Sequence, residues 1–223
     1  MQFFYHEKSG DQKLVIDAEL HKYIFKVRRH SSEDELCFRN LVDKNIYVYK
    51  VESINRRDAI LALQNSFEKI VEPSQKLHVG WCVVDPKTVE KQIASYNELG
   101  VGKITFIYCK YSQKQFKINF EKLNKILQNS SSQCGRSSII ELEESKSLND
   151  FLKIYPNSYM FNFSQNHIKN QIEHIQTIVL GCEGGFSKDE IENFDPSKIV
   201  GIDSNLILRS ETALGLIASY ITN

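Results

Sequence analysis

The chain has 223 residues with 28 basic and 28 acidic side chains, so its formal net charge is zero. With 41% apolar and 25% charged residues, 4 prolines and 10 glycines, it falls in the ordinary globular range, which excludes disordered, collagen-like and low-complexity classes. The neutral balance argues against a uniformly basic surface that wraps nucleic acid, but it is compatible with a local basic patch.

The first 72 residues predict a small β-rich domain. Short runs of β-branched and aromatic residues recur at 3–5, 13–16, 46–51 and 59–63. Such close spacing is typical of a small antiparallel sheet or barrel.

One predicted helix, near 18–29, interrupts these strands. Asp17 can cap its start, and its apolar positions at helical spacing are Leu20, Ile24 and Val27. The helix also carries a run of cations at Lys22, Lys26, Arg28 and Arg29. This run is either an ordinary solvated face or a surface that grips RNA backbone.

From residue 73 onward, predicted strands alternate with predicted helices. We predict strands near 77–84, 103–108, 138–142, 158–163, 176–181 and 198–203. We predict helices near 86–98, 119–132, 147–154, 187–194 and 210–221. Such alternation is typical of a mostly parallel sheet covered on both faces, with ligands at the carboxyl ends of the strands. The expected domains are therefore 1–72 and 73–223.

A second basic stretch lies inside this α/β region. It comprises Lys103, Lys110, Lys114, Lys117, Lys122 and Lys125, and Glu121 is the one acid that opposes it.

A glycine-rich segment follows the strand that ends at Leu180. Residues 181–187 read Gly-Cys-Glu-Gly-Gly-Phe-Ser, and Ser187 with Glu190 predicts a capping box on the next helix. The loop lets backbone approach a ligand closely, but it lacks the Walker lysine and the dinucleotide-binding pattern. Glu183 suits a ligand with positive charge better than a phosphate. On glycine content alone, a turn with a surface glutamate is the simpler interpretation.

The segment from Ile207 to Ala213 joins the last strand to the last helix. Arg209 and Glu211 are either a solvated pair at a helix start or a functional pair beside the glycine-rich loop. The helix that follows is apolar on most sides, which predicts burial in a core or in a subunit interface.

Cysteine and histidine spacing gives no sign of a metal site. The five cysteines are widely spaced, form no C-x-x-C pair, and lie partly in apolar runs. We therefore expect small hydrophobic side chains in a reducing cytoplasm rather than a disulfide framework. The first ten residues lack the apolar core of a signal peptide, and the longest apolar stretch, Val79 to Val84, is too short for a membrane span, so we expect no membrane contact.

Four motifs occur in order along the chain: ELGV at 98–101, QCGR at 133–136, GCEGGFS at 181–187 and ILRSETA at 207–213. Together they resemble the RsmE family of the SPOUT methyltransferase superfamily, whose members methylate N3 of a uridine in small-subunit ribosomal RNA with S-adenosylmethionine. The resemblance spans essentially the whole chain. It implies a PUA-like N-terminal β-barrel and a C-terminal SPOUT α/β domain with a trefoil knot. It also implies a homodimer that acts on ribosomal RNA or on the assembled small subunit.

The resemblance also implies site residues. The cofactor-binding set is Phe163, Ser164, Leu180, Gly181, Glu183, Gly184, Gly185, Leu206, Ile207, Leu208 and Thr212. The catalytic candidates are Arg209, which would stabilise charge on the uracil, and Glu211, which would orient Arg209 or accept the N3 proton. The expected RNA-binding residues are Lys22, Lys26, Arg28, Arg29 and Arg136.

The chain departs from the family pattern at Gln2, Ser95, Ser132, Cys182 and Ser204. Cys182 stands where the glycine-rich loop usually has proline, and Ser204 stands where glycine is usual. These departures keep open an RNA-binding protein that has lost catalysis. Two further hypotheses are a SPOUT enzyme that acts on transfer RNA and a small-molecule α/β enzyme.

Overall fold

The computed structural model describes residues 2–222, which form two compact units. The first unit contains the described residues up to Glu72 together with Ser131–Ser138. The second contains Pro73–Ser130 and the described residues from Ile139 onward. Each unit has its own cluster of buried apolar side chains. The sequence pattern does not indicate that Ser131–Ser138 belongs to the first unit.

Five strands form the sheet of the first unit. They are β1 (Phe4–Tyr5), β2 (Lys13–Ile16), β3 (Leu36–Arg39), β4 (Asn45–Ile54) and β5 (Ala59–Glu68). Their order is β1-β3-β4-β5-β2, and every neighbouring pair is antiparallel except β1 with β3. Two register shifts between β4 and β5 mark bulges that bend the sheet into a curl. Four of the five strands were predicted, and β3 was not.

The predicted helix of the first unit forms, but in two parts. Helix α1 (Ala18–His21) continues into a π-helical stretch, Lys22–Val27. The Asp17 side chain accepts a hydrogen bond from the Leu20 amide at 2.9 Å, which confirms the predicted cap. Val27 was predicted on the apolar stripe, and this was wrong. The i→i+5 pattern of a π-helix widens the turn, and Val27 is 58% exposed while Ile24 is fully buried.

The segment Ser131–Ser138 is held within the first unit by backbone contacts. The Ser137 amide donates to the Val71 carbonyl at 2.9 Å, and the Ser137 hydroxyl accepts from the Val71 amide at 2.7 Å. The Phe3 amide donates to the Ser132 carbonyl at 3.2 Å. These bonds satisfy backbone groups of the first unit that would otherwise lack partners.

Six parallel strands form the sheet of the second unit. They are β6 (Leu77–Cys82), β7 (Val101–Ile107), β8 (Glu141–Ser145), β9 (Tyr159–Phe161), β10 (Thr177–Leu180) and β11 (Ile199–Val200). Their order is β11-β9-β10-β6-β7-β8. Every residue of β6 is buried, as expected for a central strand covered on both faces. The chain therefore has the mixed α/β fold that the pattern predicted.

Among the described residues of this unit, five α-helices accompany the strands, and all five were predicted. They are α2 (Pro86–Glu98), α3 (Phe120–Cys134), α4 (Leu148–Ile154), α5 (Lys188–Glu192) and α6 (Ser210–Ile221). The division between the two units falls inside α3, after Ser130. The largest discrepancy among the strands is β8, predicted near 138–142. It starts at Glu141 because the Ile140 amide is bound to the Asn97 side chain at 3.2 Å and not to a neighbouring strand.

Cys82 and Cys109 form a disulfide bond, and both side chains are buried. The prediction that the cysteines act only as small hydrophobic side chains was wrong for this pair. Cys82 ends β6 and Cys109 lies two residues after β7, so the parallel pairing of these strands brings together cysteines that are 27 residues apart. Cys37, Cys134 and Cys182 are free thiols. Within residues 2–222, no helix has the length and apolar character needed to cross a membrane.

Candidate functional site

A cavity of about 360 Å³ lies at the carboxyl ends of β9, β10 and β11. Its lining includes nine residues of the predicted cofactor set: Phe163, Leu180, Gly181, Glu183, Gly184, Gly185, Leu206, Ile207 and Leu208. They come from three loops that are far apart in sequence, one after each strand. Parallel strands place the loops at their carboxyl ends on one edge of the sheet, so the fold brings the three together.

The glycine-rich loop is a tight turn closed on itself. The Gly185 amide donates to the Cys182 carbonyl at 2.9 Å, and Gly185 has φ +66°, a left-handed conformation that favours glycine. A Cβ on Gly181 would lie 3.0 Å from the Gly185 Cα. Glycine at both ends therefore keeps the turn narrow and its backbone accessible to a ligand.

Ser210 fixes the start of α6 against this loop. Its hydroxyl accepts a hydrogen bond from the Trp81 indole at 2.8 Å and donates to the Gly181 carbonyl at 2.5 Å. The Tyr96 hydroxyl donates to the Glu211 carbonyl at 2.8 Å. Trp81 and Ser210 lie 129 residues apart, so no local sequence signal points to this contact.

Glu183 is the one charged side chain in the cavity lining among the described residues. It is exposed at the cavity mouth, and the remaining lining is mostly aromatic, aliphatic and glycine. Phe161, Phe163 and Phe186 supply the aromatic rings. A site with this composition suits a ligand that combines a flat ring with a positive charge.

Two residues of the predicted cofactor set lie outside the lining. The Ser164 hydroxyl donates to the Ile199 carbonyl at 3.0 Å and accepts from the Asn166 amide at 3.1 Å, so it shapes the loop after β9. Thr212 is exposed on the first turn of α6. The lining residues missing from the predicted set are Phe161, Asn162, Cys182, Phe186, Ile202, Ser204, Ser210 and Ala213. In the sequence, Cys182 and Ser204 stand out only as departures from the family pattern.

Cys182 does not have the environment of a nucleophile. Its side chain is buried, and burial raises the pKa of the thiol above its ordinary value. Reactive cysteines need the opposite shift, because the thiolate is the nucleophile. Cys182 therefore acts as a small packing group beneath the glycine-rich loop.

Arg209 and Glu211 lie next to the cavity and close to each other. The Arg209 Nη1 is 3.9 Å from the Glu211 Oε1, and the Arg209 side chain is 84% exposed against 16% for Glu211. Arg209 is outside the lining but adjoins Leu208 and Ser210, which are part of it. The guanidinium is thus available to a second ligand at the cavity mouth.

The cations predicted to bind RNA fall into two groups. Lys22, Lys26, Arg28 and Arg29 are exposed, and none has a carboxylate within 4 Å among residues 2–222. The Arg28 guanidinium donates to the side-chain oxygen of Gln2. Arg136, in contrast, is buried, and its Nε lies 3.1 Å from the Ser138 hydroxyl and 3.7 Å from the Glu72 carboxylate. This placement favours a structural role for Arg136.

The described residues contain no cluster of three or more histidine, cysteine, aspartate or glutamate side chains suited to a metal ion.

Comparison with known proteins gives one consistent family. The family model of an RNA methyltransferase domain matches residues 71–222. A ribosomal RNA small subunit methyltransferase E of Helicobacter pylori is 33% identical over 222 residues, which cover 98% of each chain. One from Rickettsia conorii is 26% identical and covers 90% of this chain and 85% of its own. A crystal structure of such an enzyme from Neisseria gonorrhoeae, bound to S-adenosyl methionine, superposes with a TM-score of 0.80 at 14% identity, covering 98% and 95% of the two chains.

Proposed function

Because this chain belongs to the family of ribosomal RNA small subunit methyltransferase E, we propose that it transfers a methyl group from S-adenosylmethionine to N3 of a uridine in small-subunit ribosomal RNA. One observation carries the proposal. The three loops that the family pattern assigns to the cofactor line a single cavity, although they are distant in sequence. The parallel sheet brings these loops together, and their glycines, phenylalanine rings and Glu183 give the cavity a lining that suits the cofactor.

The residues present fit this cofactor. The cavity volume, about 360 Å³, lies in the range of small-molecule sites. Phenylalanine rings and glycine backbone accommodate an adenine ring, and Glu183 at the mouth attracts a sulfonium. When bound, the cofactor supplies an electrophilic methyl group. The chain contributes mainly alignment, since positioning of donor and acceptor can supply much of the rate.

The acceptor atom requires removal of a proton, because uracil N3 is protonated at neutral pH. We propose that Arg209 donates hydrogen bonds to a uracil carbonyl oxygen and stabilises the charge that develops there. Glu211, 3.9 Å from Arg209, orients the guanidinium or accepts the N3 proton. The high exposure of Arg209 supports this role, because the guanidinium is free to meet a base from solution.

Recognition of RNA is assigned to the first unit. We propose that residues 1–72 of this unit form a PUA-like barrel domain and that Lys22, Lys26, Arg28 and Arg29 contact phosphates. Their exposure and lack of acidic partners within residues 2–222 support this. The target base must leave its stack for N3 to be reached.

For the predicted domain 73–223, we propose the SPOUT architecture with a trefoil knot and a homodimer. Phe163, Leu206 and Ile207 at the cavity are 81%, 75% and 81% exposed, and a second copy of the chain would cover such apolar side chains. Because the proposed substrate is ribosomal RNA, we also propose a cytoplasmic location. The cysteines do not support that location, given the Cys82–Cys109 bond.

The direct test is methyl transfer from labelled S-adenosylmethionine to unmodified small ribosomal subunits and, separately, to free small-subunit ribosomal RNA. We expect the label in 3-methyluridine. Label in another nucleoside would refute the N3 assignment while keeping methyl transfer. Folded protein that binds S-adenosylmethionine but transfers nothing to either substrate would favour a binding protein without catalysis.

Arg209→Ala tests the catalytic assignment. We expect kcat to fall about 100-fold or more, because a donor to developing charge is lost. The affinity for S-adenosylmethionine should stay within about twofold, since Arg209 is outside the cavity lining. Lys153→Ala, which removes an exposed cation from α4, is the control and should behave as wild type. Near-normal turnover of Arg209→Ala would remove Arg209 from the mechanism.

A further inference from the structure

A second cavity, of about 600 Å³, lies at the carboxyl ends of β7 and β8. Four lysines line it: Lys110, Lys114, Lys117 and Lys146. We call it the lysine cavity. Three of these lysines, Lys110, Lys114 and Lys117, belong to the basic stretch noted in the sequence. The other lysines of that stretch lie outside the cavity.

The lysines of the stretch that lie outside the cavity are paired with acids. Lys103 is 2.8 Å from the Glu141 carboxylate, and Lys122 is 2.6 Å from that of Glu90. Lys125 is 2.8 Å from Glu121, one helical turn away. These charges are neutralised within the chain, so they leave little field for a ligand.

The lysines of the cavity are not neutralised in this way. Among the described residues, neither Lys114 nor Lys146 has a carboxylate within 4 Å. Lys117 lies over the Tyr108 ring at 5.8 Å from its centroid, an interaction that leaves its charge in place. Lys110 meets Asp189 at 3.3 Å, with both side chains more than half exposed, a geometry that contributes little.

Two acids also line the cavity, but they do not cancel four cations. The Glu190 carboxylate accepts from the amides of Ser187 at 2.8 Å and Lys110 at 3.1 Å, so both its oxygens are occupied by backbone. Glu144 is exposed. The lining thus keeps a net positive charge of about two, which favours an anionic ligand.

The position of the lysine cavity relative to the cofactor cavity indicates which anion it binds. All six strands of the sheet are parallel, so this cavity and the cofactor cavity open on the same edge. The strands β7 and β8 lie two and three places from β10, or about 10–15 Å at the usual strand spacing. Phe186 lines the cofactor cavity and Glu190 lines the lysine cavity, so the two linings lie four residues apart along the chain.

We propose that the lysine cavity binds the phosphate groups of the RNA strand next to the nucleotide that is methylated. The proposal rests on the proposed function, which places the target base at the cofactor cavity. Flexible lysines in an open cavity give point charges that hold a backbone without reading sequence. Loss of these charges should reduce both the affinity for RNA and its dependence on salt.

The test is the double variant Lys114→Gln/Lys146→Gln, with binding of a labelled single-stranded oligouridylate measured across salt concentrations. We expect affinity to fall roughly tenfold near 0.1 M salt, and the slope of log affinity against log salt to shrink by about 1.4, or about 0.7 per phosphate contact. The matched control Lys122→Gln/Lys125→Gln removes the same charge outside the cavity. It should keep the wild-type slope.

Two further measurements guard against trivial explanations. Affinity for S-adenosylmethionine should be unchanged in every variant, which verifies the fold. The charge-preserving variant Lys114→Arg/Lys146→Arg should retain RNA binding and covers the case in which the glutamine variant misfolds. An unchanged slope in Lys114→Gln/Lys146→Gln, or an equal loss in the control pair, overturns the proposal, as does an arginine variant that binds S-adenosylmethionine but not RNA.

Inorganic phosphate serves as a second probe, because it carries the same chemistry. If the glutamine variant loses binding of phosphate while keeping that of oligouridylate, the cavity is a site for a free anion and the proposal is wrong. Methyl transfer to small subunits is scored separately. Wild type that transfers no methyl group while the glutamine variant loses RNA binding would refute the proposed function and leave the lysine cavity standing. Normal methyl transfer by the wild type, together with an unchanged salt slope in the glutamine variant, would refute the role of the lysine cavity and leave the proposed function standing.

Discussion

A Cβ added to Gly201 would disturb the loop that follows β9. A Cβ there would lie 2.7 Å from the Ser164 carbonyl oxygen and 2.8 Å from that of Asn162. Both are backbone atoms, so neither can yield without moving a loop that lines the cofactor cavity. Gly185 differs, because no atom lies within 4 Å of the position that a Cβ would take and only its positive φ requires glycine. Glycine is thus required at the two positions for different physical reasons: lack of space at Gly201 and backbone conformation at Gly185.

His78 is a buried histidine of the second unit. Its Nε2 lies 2.8 Å from the Thr105 hydroxyl, which in turn donates to the Glu143 carboxylate at 2.9 Å. Since Thr105 uses its proton on Glu143, His78 must donate, which fixes the neutral tautomer with the proton on Nε2. Burial, helped by the nearby Lys103 charge, lowers the pKa of His78 from 6.5 to about 4.

This shift predicts a loss of stability in mild acid. The unfolded chain binds the His78 proton below pH 6.5 and the folded chain only near pH 4. The stabilisation is therefore complete above pH 6.5 and is lost as pH falls from 6.5 to 4, by about 3 kcal/mol in all. Urea unfolding of wild type and His78→Gln at several pH values measures how the free energy of unfolding depends on pH. The glutamine variant should lose much of the dependence in that window, and parallel curves would contradict the assignment.

Sequence motifs are easiest to relate to the structure where the backbone itself shapes a loop. Glycines 181, 184 and 185 line the cavity, and the turn that they form is a local feature of the sequence. Ser210 gives no such signal, because its role depends on Trp81, which only the folded sheet brings near. Arg136 was expected to face RNA, but nothing in QCGR itself reveals that Glu72 lies beside it in the fold.

At the scale of elements, the short helix α5 is held by an extended capping box. Ser187 and Glu190 make both reciprocal bonds of the box, as the sequence predicted. The second oxygen of Glu190 accepts from the Lys110 amide, so the same side chain also ties the loop after β7 to this helix. The helix follows the glycine-rich loop directly, so its stability bears on the cofactor cavity.

Glu190→Ala should therefore destabilise the second unit by about 1–2 kcal/mol, because two backbone amides lose their acceptor. It should also weaken S-adenosylmethionine binding, since the glycine-rich loop loses its anchor. Urea unfolding and calorimetric titration measure the two effects. Glu192→Ala, an exposed acid on the same helix, is the control. Equal results for the two variants would mean that the cap contributes nothing to the site.

Periodicity located the longer helices of the second unit well because they bury apolar side chains, such as Val89 and Ile93 of α2. The short helix α5 buries none, and its signal was the capping box. Periodicity located strands less well. The pattern missed β3, which is four residues long and follows a polar loop, and placed β8 three residues early because Ile139 and Ile140 look like strand residues. In β8 itself the side chains face a polar network around Glu143 and Lys103, so hydrophobicity gives little signal.

At the scale of the whole molecule, the Cys82–Cys109 bond adds a covalent closure to the second unit. The closed span of 27 residues includes α2 and β7. In the chain-entropy model a closure of this length destabilises the unfolded state by about 3.5 kcal/mol.

Thiol counting tests the bond. Unfolded, unreduced protein should show three reactive thiols, and reduced protein all five cysteines. Cys82→Ala/Cys109→Ala should melt at a lower temperature than wild type, while Cys37→Ala, at a free cysteine of the first unit, should leave the closure intact. Five thiols before reduction would show that the two cysteines are unpaired in solution.

The segment Ser131–Ser138 has a consequence for the order of events during protein synthesis. A ribosome releases the chain from its N-terminal end, and domains generally fold as units as they emerge. The five strands of the first unit are all made by Glu68, yet the partners of Phe3 and Val71 lie beyond residue 130. The first unit therefore remains incomplete until Ser137 has been synthesised, 69 residues after Glu68. Until then the amides of Phe3 and Val71 lack the hydrogen-bond acceptors that Ser132 and Ser137 supply in the folded protein.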